Sequence, residues 1–420
     1  MKLRIFSLAT ILILFASINT AENIQIKSLK VYPKNTEIGF PIIDLSNNAQ
    51  NILTIEFDIK TDFEPQLNII FKYCDENWRP YDNIFLRNET KNTAYNLSFT
   101  KLPMRMNEAD YHYKGMFPNK DVSFPFSGKW MFFIVDPYDE NTIYASGRFY
   151  AVQSRVTLTA SLKKYFLSGN ASSSLPEDRS YFTKINFSLP DEFPQTIFPF
   201  EISHIEIIKN QEISNPVIIN RTDNLETRYC EWVGANDFSF FATDIQPGNE
   251  YRQTNLMDNN RFSYPVTNAQ LDEIETSRFY IKGKKDNGGG YYLMNYNNNY
   301  AEYLKVNFSI QLPYDFDKRI FLVGSFNNWQ ILPEYEMTRD NNAIYRKQIE
   351  LKRGVYDYQY VVADFNGKNL SEQNWIYLEG NFWETRNVLH IFLYHDNSNL
   401  GGYSEIIGYL EILSDNIWID

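Results

Sequence analysis

Four histidines, two cysteines and many carboxylates are the side chains of this 420-residue sequence with chemistry to offer. Zinc sites cluster His and Cys in short motifs, and no pair among His112, His204, His390 and His395 has that spacing. His112 in "DYHYKG" and His390 in "VLHIFLY" sit in strand-like text, where an imidazole packs or hydrogen-bonds. Neither Cys74 nor Cys230 has a nearby His to activate it, and no Gly-x-Ser-x-Gly elbow occurs. In an oxidising compartment the two cysteines could pair, but the expectation is two separate thiols in two domains. Asp75 and Glu76 in "YCDENW" are adjacent on a strand, so they point to opposite faces and cannot flank one glycosidic bond. Asp136, Asp139 and Glu140 in "VDPYDENT" have the oxygens that calcium uses, yet the text reads as a solvated hairpin loop. The Gly run at 288–290 lacks the Lys and the strand-to-helix context of a phosphate loop and reads as a turn. No catalytic, metal or cofactor site is expected. What remains is an aromatic: Trp329 in "GSFNNWQ" (324–330), on a loop that follows an apolar strand.

The elements that must carry these residues are strands. Leu53, Ile55, Phe57 and Ile59 alternate with polar residues, as do Leu67, Ile69, Phe71 and Tyr73, then Thr183, Ile185, Phe187 and Leu189. The pattern is cleanest at Leu304, Val306, Phe308, Ile310 and Leu312. Such strands bury one face and wet the other, as in antiparallel sandwiches. The 30 Tyr and 32 Phe suit half-buried strands. The expected fold class is all-β, with tandem immunoglobulin-like sandwiches. An outer-membrane barrel also alternates, but its strands run to about ten residues with an apolar lipid face, and the runs here are shorter.

Lys2 and Arg4 before the apolar run Ile5 to Ala16, with Ala21 after it, have the layout of a secretory signal peptide over 1–21. Removing Lys2 and Arg4 from the 40 basic residues leaves 38 against 52 acidic ones, a net charge of −14 that argues against a nucleic-acid partner. Length implies more than one core. The turn-rich stretch 284–303 and the text at 151–158 suggest modules over 22–152, 153–298 and 299–400, followed by an acidic tail, 401–420, that either adds an edge strand or stays loose.

Two resemblances follow. Residues 320–394, through "IFLVGSFNNWQ", "YRKQIELKRGVYDYQYVVAD" and "TRNVLHIFLY", resemble the early-set immunoglobulin-like fold of glycogen-binding modules, in which a sugar stacks between two aromatics. Trp329 matches the first aromatic. The family Lys falls at Gln359, the second Trp position offers only Phe365 and Asn369, and the paired Asn aligns with Arg386-Asn387. Over nearly the whole mature chain, "FPIIDL", "YCDENW", "YHYKGMFPN", "SGKWMFFI", "GRFYAV", "GNEYR", "DNGGGYYL" and "YLEGNFWETRN" are similar, in that order, to the type IX secretion system plug family. This second resemblance implies a non-catalytic periplasmic protein, without cofactor, that blocks the lumen of a very large outer-membrane barrel translocon and is held at the membrane through protein contact. Trp329, Trp78 (ending "YCDENW") and Arg252 (ending "GNEYR") are the candidate interaction residues. The alternatives are an exported α-glucan-binding protein and an envelope assembly or structural protein.

Overall fold

A computed structural model describes residues 24–46, 52–170, 173, 175–190, 197–275, 277, 286–298, 300–365 and 370–414. The expected leader, 1–21, and Asn369 lie outside the described residues. Within them the protein is all-β: strands are joined by loops, and the helical pieces are three-residue 3-10 turns.

Six sheets form three sandwiches. In the first, Gln25–Pro33, Leu53–Lys60, Tyr111–Phe117 and Thr100–Lys101 face a sheet ordered Ile42–Asp44, Ile143–Val152, Gly128–Val135, Asn68–Cys74 and Thr93–Ala94. Ile55, Phe57, Phe71, Trp130, Phe132 and Phe149 interdigitate between them. In the second, Thr159–Phe166, Arg179–Ser188, Asp237–Ile245 and Arg228–Val233 pack on Val217–Asn220, Ile202–Lys209, Val388–Asn397 and Tyr403–Leu413. In the third, the long strand Gly354–Phe365 pairs with Arg252–Asn255, Tyr291–Leu293, Ile320–Gly324 and Leu370–Asn374. It faces Val266–Asp272, Tyr303–Gln311, Ile344–Lys352 and Thr338–Arg339.

These sheets cut across two of the expected boundaries. Strands of the third sandwich begin at Arg252, well before 299, and the chain then returns to the second sandwich through Val388–Asn397 and Tyr403–Leu413. The third sandwich is therefore inserted between two strands of the second. Residues 286–298 hold tight turns, and no sandwich ends there. Residues 403–413 are an edge strand antiparallel to Val388–Asn397.

The alternation also has an exception with a physical cause. Leu53, Ile55, Phe57 and Ile59 are buried as expected, but so are Thr54 and Asp58 on the face that should be wet. That face is covered by the third sandwich. Ile202–Lys209 is buried on both faces for the same reason: Ile205 and Ile207 enter its own core, while Ile208 packs with Phe40, Tyr150 and Phe392 of a second cluster shared with the first sandwich.

Candidate functional site

The loop after Ile320–Gly324 is built around Asn327. Its Oδ1 accepts from the Gly324 N–H at 3.0 Å, and its Nδ2 donates to the carbonyls of Leu322 and Gln330. Asn328 and Trp329 then take left-handed backbone, φ 53° and 58°, which non-glycine residues rarely adopt. The result turns the indole inward. Trp329 is 1% exposed, its Nε1–H donates to the Gly289 carbonyl at 2.8 Å, and its ring lies 4.4 Å from that of Tyr251 among Phe321, Val323 and Val361. With 1% of its surface exposed, Trp329 offers no open face on which a sugar could stack. Packing decides its role.

Gly289 marks the point where the three sandwiches meet. A Cβ there would come within 3.2 Å of Trp329 and 3.3 Å of Gln211, and a Cβ at Gly290 would meet Ile38 at 3.0 Å. Gly288 and Gly289 have φ of 58° and 81°, which suits glycine. The turn expected here is real, and its N–H groups at Asn287 and Gly289 both donate to Asp357 Oδ2, at 2.6 and 3.0 Å. Burial, with the Asp286 carboxylate as neighbour, pushes the Asp357 pKa up to about 8 despite those donors.

Each pair of sandwiches is joined by a buried polar key. Between the first and third, Asp58 takes Lys352 Nζ at 2.7 Å and Tyr303 OH at 2.8 Å, with His112 Nδ1 at 2.7 Å. Burial would raise the Asp58 pKa, but His112 and Lys352 hold it below its ordinary value. Between the first and second, Lys129 Nζ lies 3.0 Å from Glu206, which also accepts from Tyr394 OH at 2.6 Å. Between the second and third, Tyr251 OH donates to Glu212 at 2.6 Å and accepts from Asn210 at 3.0 Å. Buried charges that are paired and hydrogen-bonded hold a geometry, and removing one partner typically costs about 3–5 kcal/mol.

The other candidates fall into the same frame. Arg252 is 4% exposed: its Nε donates to Glu379 at 2.7 Å and it pairs with Asp272 at 3.1 Å, so it braces the third sandwich from within. Trp78 is half-buried beside Tyr150, with Lys129 Nζ 5.0 Å and Arg148 Cζ 5.1 Å from its ring. It therefore lies at the rim of the seam between the first two sandwiches. Cys74 and Cys230 are unpaired, in the first and second sandwiches, and burial pushes their thiols up to about 12 and about 11. Burial lowers His204 and His390 to about 3, which leaves neutral packing rings at physiological pH. Asp136 and Asp139 accept from the backbone N–H groups of Tyr138 and Asn141 in their hairpin loop.

Residues the sequence reading missed are those that work across seams: Asp58, Lys129, Glu206, Tyr303 and Lys352. Each lies within a strand, and no local signal marks it. Trp375 was also missed. It follows the strand Leu370–Asn374 and lines, with Gln359 and Gln373, a polar cleft of about 310 Å³ between the second and third sandwiches. It rests on the cluster that encloses Trp329, so the two indoles do not form an open pair.

A second cavity, of about 250 Å³, opens at the three-way junction. Its walls come from Lys30, Ile38 and Arg148 of the first sandwich, Gln211 and Ile213 of the second, and Trp329 of the third. What these groups offer is reception and bracing. Among the described residues no three His, Cys, Asp or Glu side chains gather as a metal set.

Residues 26–153 match the family model of the type 9 secretion system plug protein first domain. No curated protein matches the chain. A crystal structure of a hypothetical protein from Parabacteroides merdae is similar over 93% of this chain and 97% of its own, at 20% identity and a TM-score of 0.74, and so shares the fold. A bacterial ice-binding adhesin aligns over 92% and 96% at 8% identity, but its TM-score of 0.15 carries no structural likeness.

Proposed function

We propose that the chain, whose residues 26–153 belong to the type 9 secretion system plug first-domain family, is a non-catalytic plug that binds and seals that system's large outer-membrane barrel from the periplasmic side. The family match over the first sandwich carries this reading. The architecture supports it: a stopper must keep its shape over a wide opening, and three sandwiches keyed pairwise by buried ion pairs and hydrogen bonds make one stiff body. The side chains that looked most like a ligand site are used internally. Burial of Trp329 removes the platform on which the α-glucan alternative depends.

Affinity purification of the tagged protein from native membranes tests the proposal. The expected result is co-recovery of a very large outer-membrane β-barrel. Recovery without such a barrel, from membranes in which the barrel is confirmed to be present, overturns it.

A further inference from the structure

The cavity at the three-way junction has a feature that internal bracing does not explain. Arg148 lines it, half-buried, with its Cζ 5.1 Å from the centre of the Trp78 ring; among the described residues its guanidinium makes no ion pair or hydrogen bond. Burial lowers its pKa, and among the described residues no carboxylate offsets that. Lys30, the other cation in the wall, is already held by Glu37 at 2.8 Å and by the Tyr291 carbonyl at 2.6 Å. A guanidinium withdrawn from water without a counter-ion is costly, and a carboxylate matches its forked donors.

The backbone around Arg148 is open as well. Ile143–Val152 is paired along one side by Gly128–Val135, but on the other side Ile42–Asp44 reaches only Tyr150, Ala151 and Val152. The Tyr150 N–H still meets the Pro41 carbonyl. By strand alternation Ser146 and Arg148 turn their N–H and C=O groups to that same side, where the ladder has stopped and the cavity begins. Across the cavity, Gln25–Pro33 is the edge strand of its own sheet. A free edge beside apolar walls (Ile38, Met131, Ile213) is the setting in which an extended peptide adds as a strand.

We propose that this cavity receives an extended peptide segment that presents a carboxylate to Arg148 while its backbone pairs with the unpartnered edge at 146–148. The occupant is a peptide because the open groups are a strand edge. It is acidic because Arg148, unlike Lys30, has no carboxylate partner among the described residues. The volume, about 250 Å³, lies below the usual range for drug-sized ligands and suits a few residues. The carboxylate is either an Asp or Glu side chain or a chain end. The site goes beyond the plug reading and does not rest on it, since a purified protein with no translocon present can be tested.

The test is titration calorimetry of the full mature protein with four probes: acetyl-Thr-Val-Asp-Val-Thr-amide, its Asn and Lys counterparts, and acetyl-Thr-Val-Thr-Val with a free C-terminal carboxylate. The Asp peptide should bind at least about tenfold more tightly than the Asn peptide, the worth of one charge-assisted contact. Tighter binding of the free-acid probe than of the Asp peptide would assign the carboxylate to a chain end. Arg148→Gln should abolish the Asp preference. Arg148→Glu should reverse it toward acetyl-Thr-Val-Lys-Val-Thr-amide, a gain that loss of folding cannot mimic. Equal affinity for the Asp and Asn peptides, no binding of any probe at millimolar concentration, or an unchanged preference in folded Arg148→Gln overturns the proposal.

Discussion

At the scale of single residues, the fate of Trp329 separates packing from recognition. Its ring fills a space enclosed by Tyr251, Phe321, Val323 and Val361, and its N–H satisfies the Gly289 carbonyl. Truncation leaves a cavity and an orphaned acceptor, so Trp329→Ala should lower unfolding free energy by about 3–5 kcal/mol in urea denaturation. Mobility in glycogen-containing gels should be the same for both proteins. Retardation of the wild-type protein that disappears in the variant would return the indole to sugar binding. Asp357 supplies a pH signature. Its folded-state pKa, pushed up to about 8 by burial and by Asp286, lies above that of the unfolded chain. The native state then holds the proton more tightly, and stability falls as pH rises from the ordinary carboxylate range through about 8. Asp357→Asn cannot titrate, so its urea midpoint should change less over that window than the wild-type midpoint. Parallel curves for the two proteins would show that Asp357 ionises normally.

At the scale of elements, the return of the chain to the second sandwich has consequences. Val388–Asn397 forms the ladder beside Ile202–Lys209, and Leu389, Ile391 and Leu393 stand in the second core. A fragment spanning residues 153–298 carries Ile202–Lys209 and Val217–Asn220 but lacks both strands that complete their sheet. It would expose an apolar face and an unpaired edge, so it should show no cooperative thermal transition and should be cut readily by protease. A fragment of residues 153–414, with the insertion in place, should fold. Cooperative unfolding of 153–298 would mean that the C-terminal strands are accessory.

At the scale of the whole molecule, the seams matter more than any one sandwich. Asp58, Glu206 and Glu212 each sit at a junction, almost wholly buried, and each would lose its partner across the seam if one sandwich opened from its neighbour. Unfolding one sandwich therefore weakens the other two. Calorimetry should give one dominant transition for the full chain, and Lys129→Met should lower it as a unit by stranding Glu206. Three resolved transitions, with only one moved by Lys129→Met, would describe beads on a string instead of a stiff stopper.

The sequence by itself determined the all-β class, because period-two alternation and turn residues are local and act within a few positions. Leu304 to Leu312 could be read as a half-buried strand without knowing its neighbours, and so could the turn at 288–290. The order of short motifs led to the plug family, and the first of them fall within the matched residues 26–153. What only the tertiary structure decided was where each face goes. Asp58 alternates like a solvent-facing residue, and its partner Lys352 lies 294 positions away. The strand at 388–397 has the same pattern whether it closes the third sandwich or the second. The direction of the Trp329 ring depends on two left-handed residues and on a glycine carbonyl 40 positions earlier. Burial is a property of what comes to cover a surface, and that partner is set by the packing of distant segments, which no local pattern records.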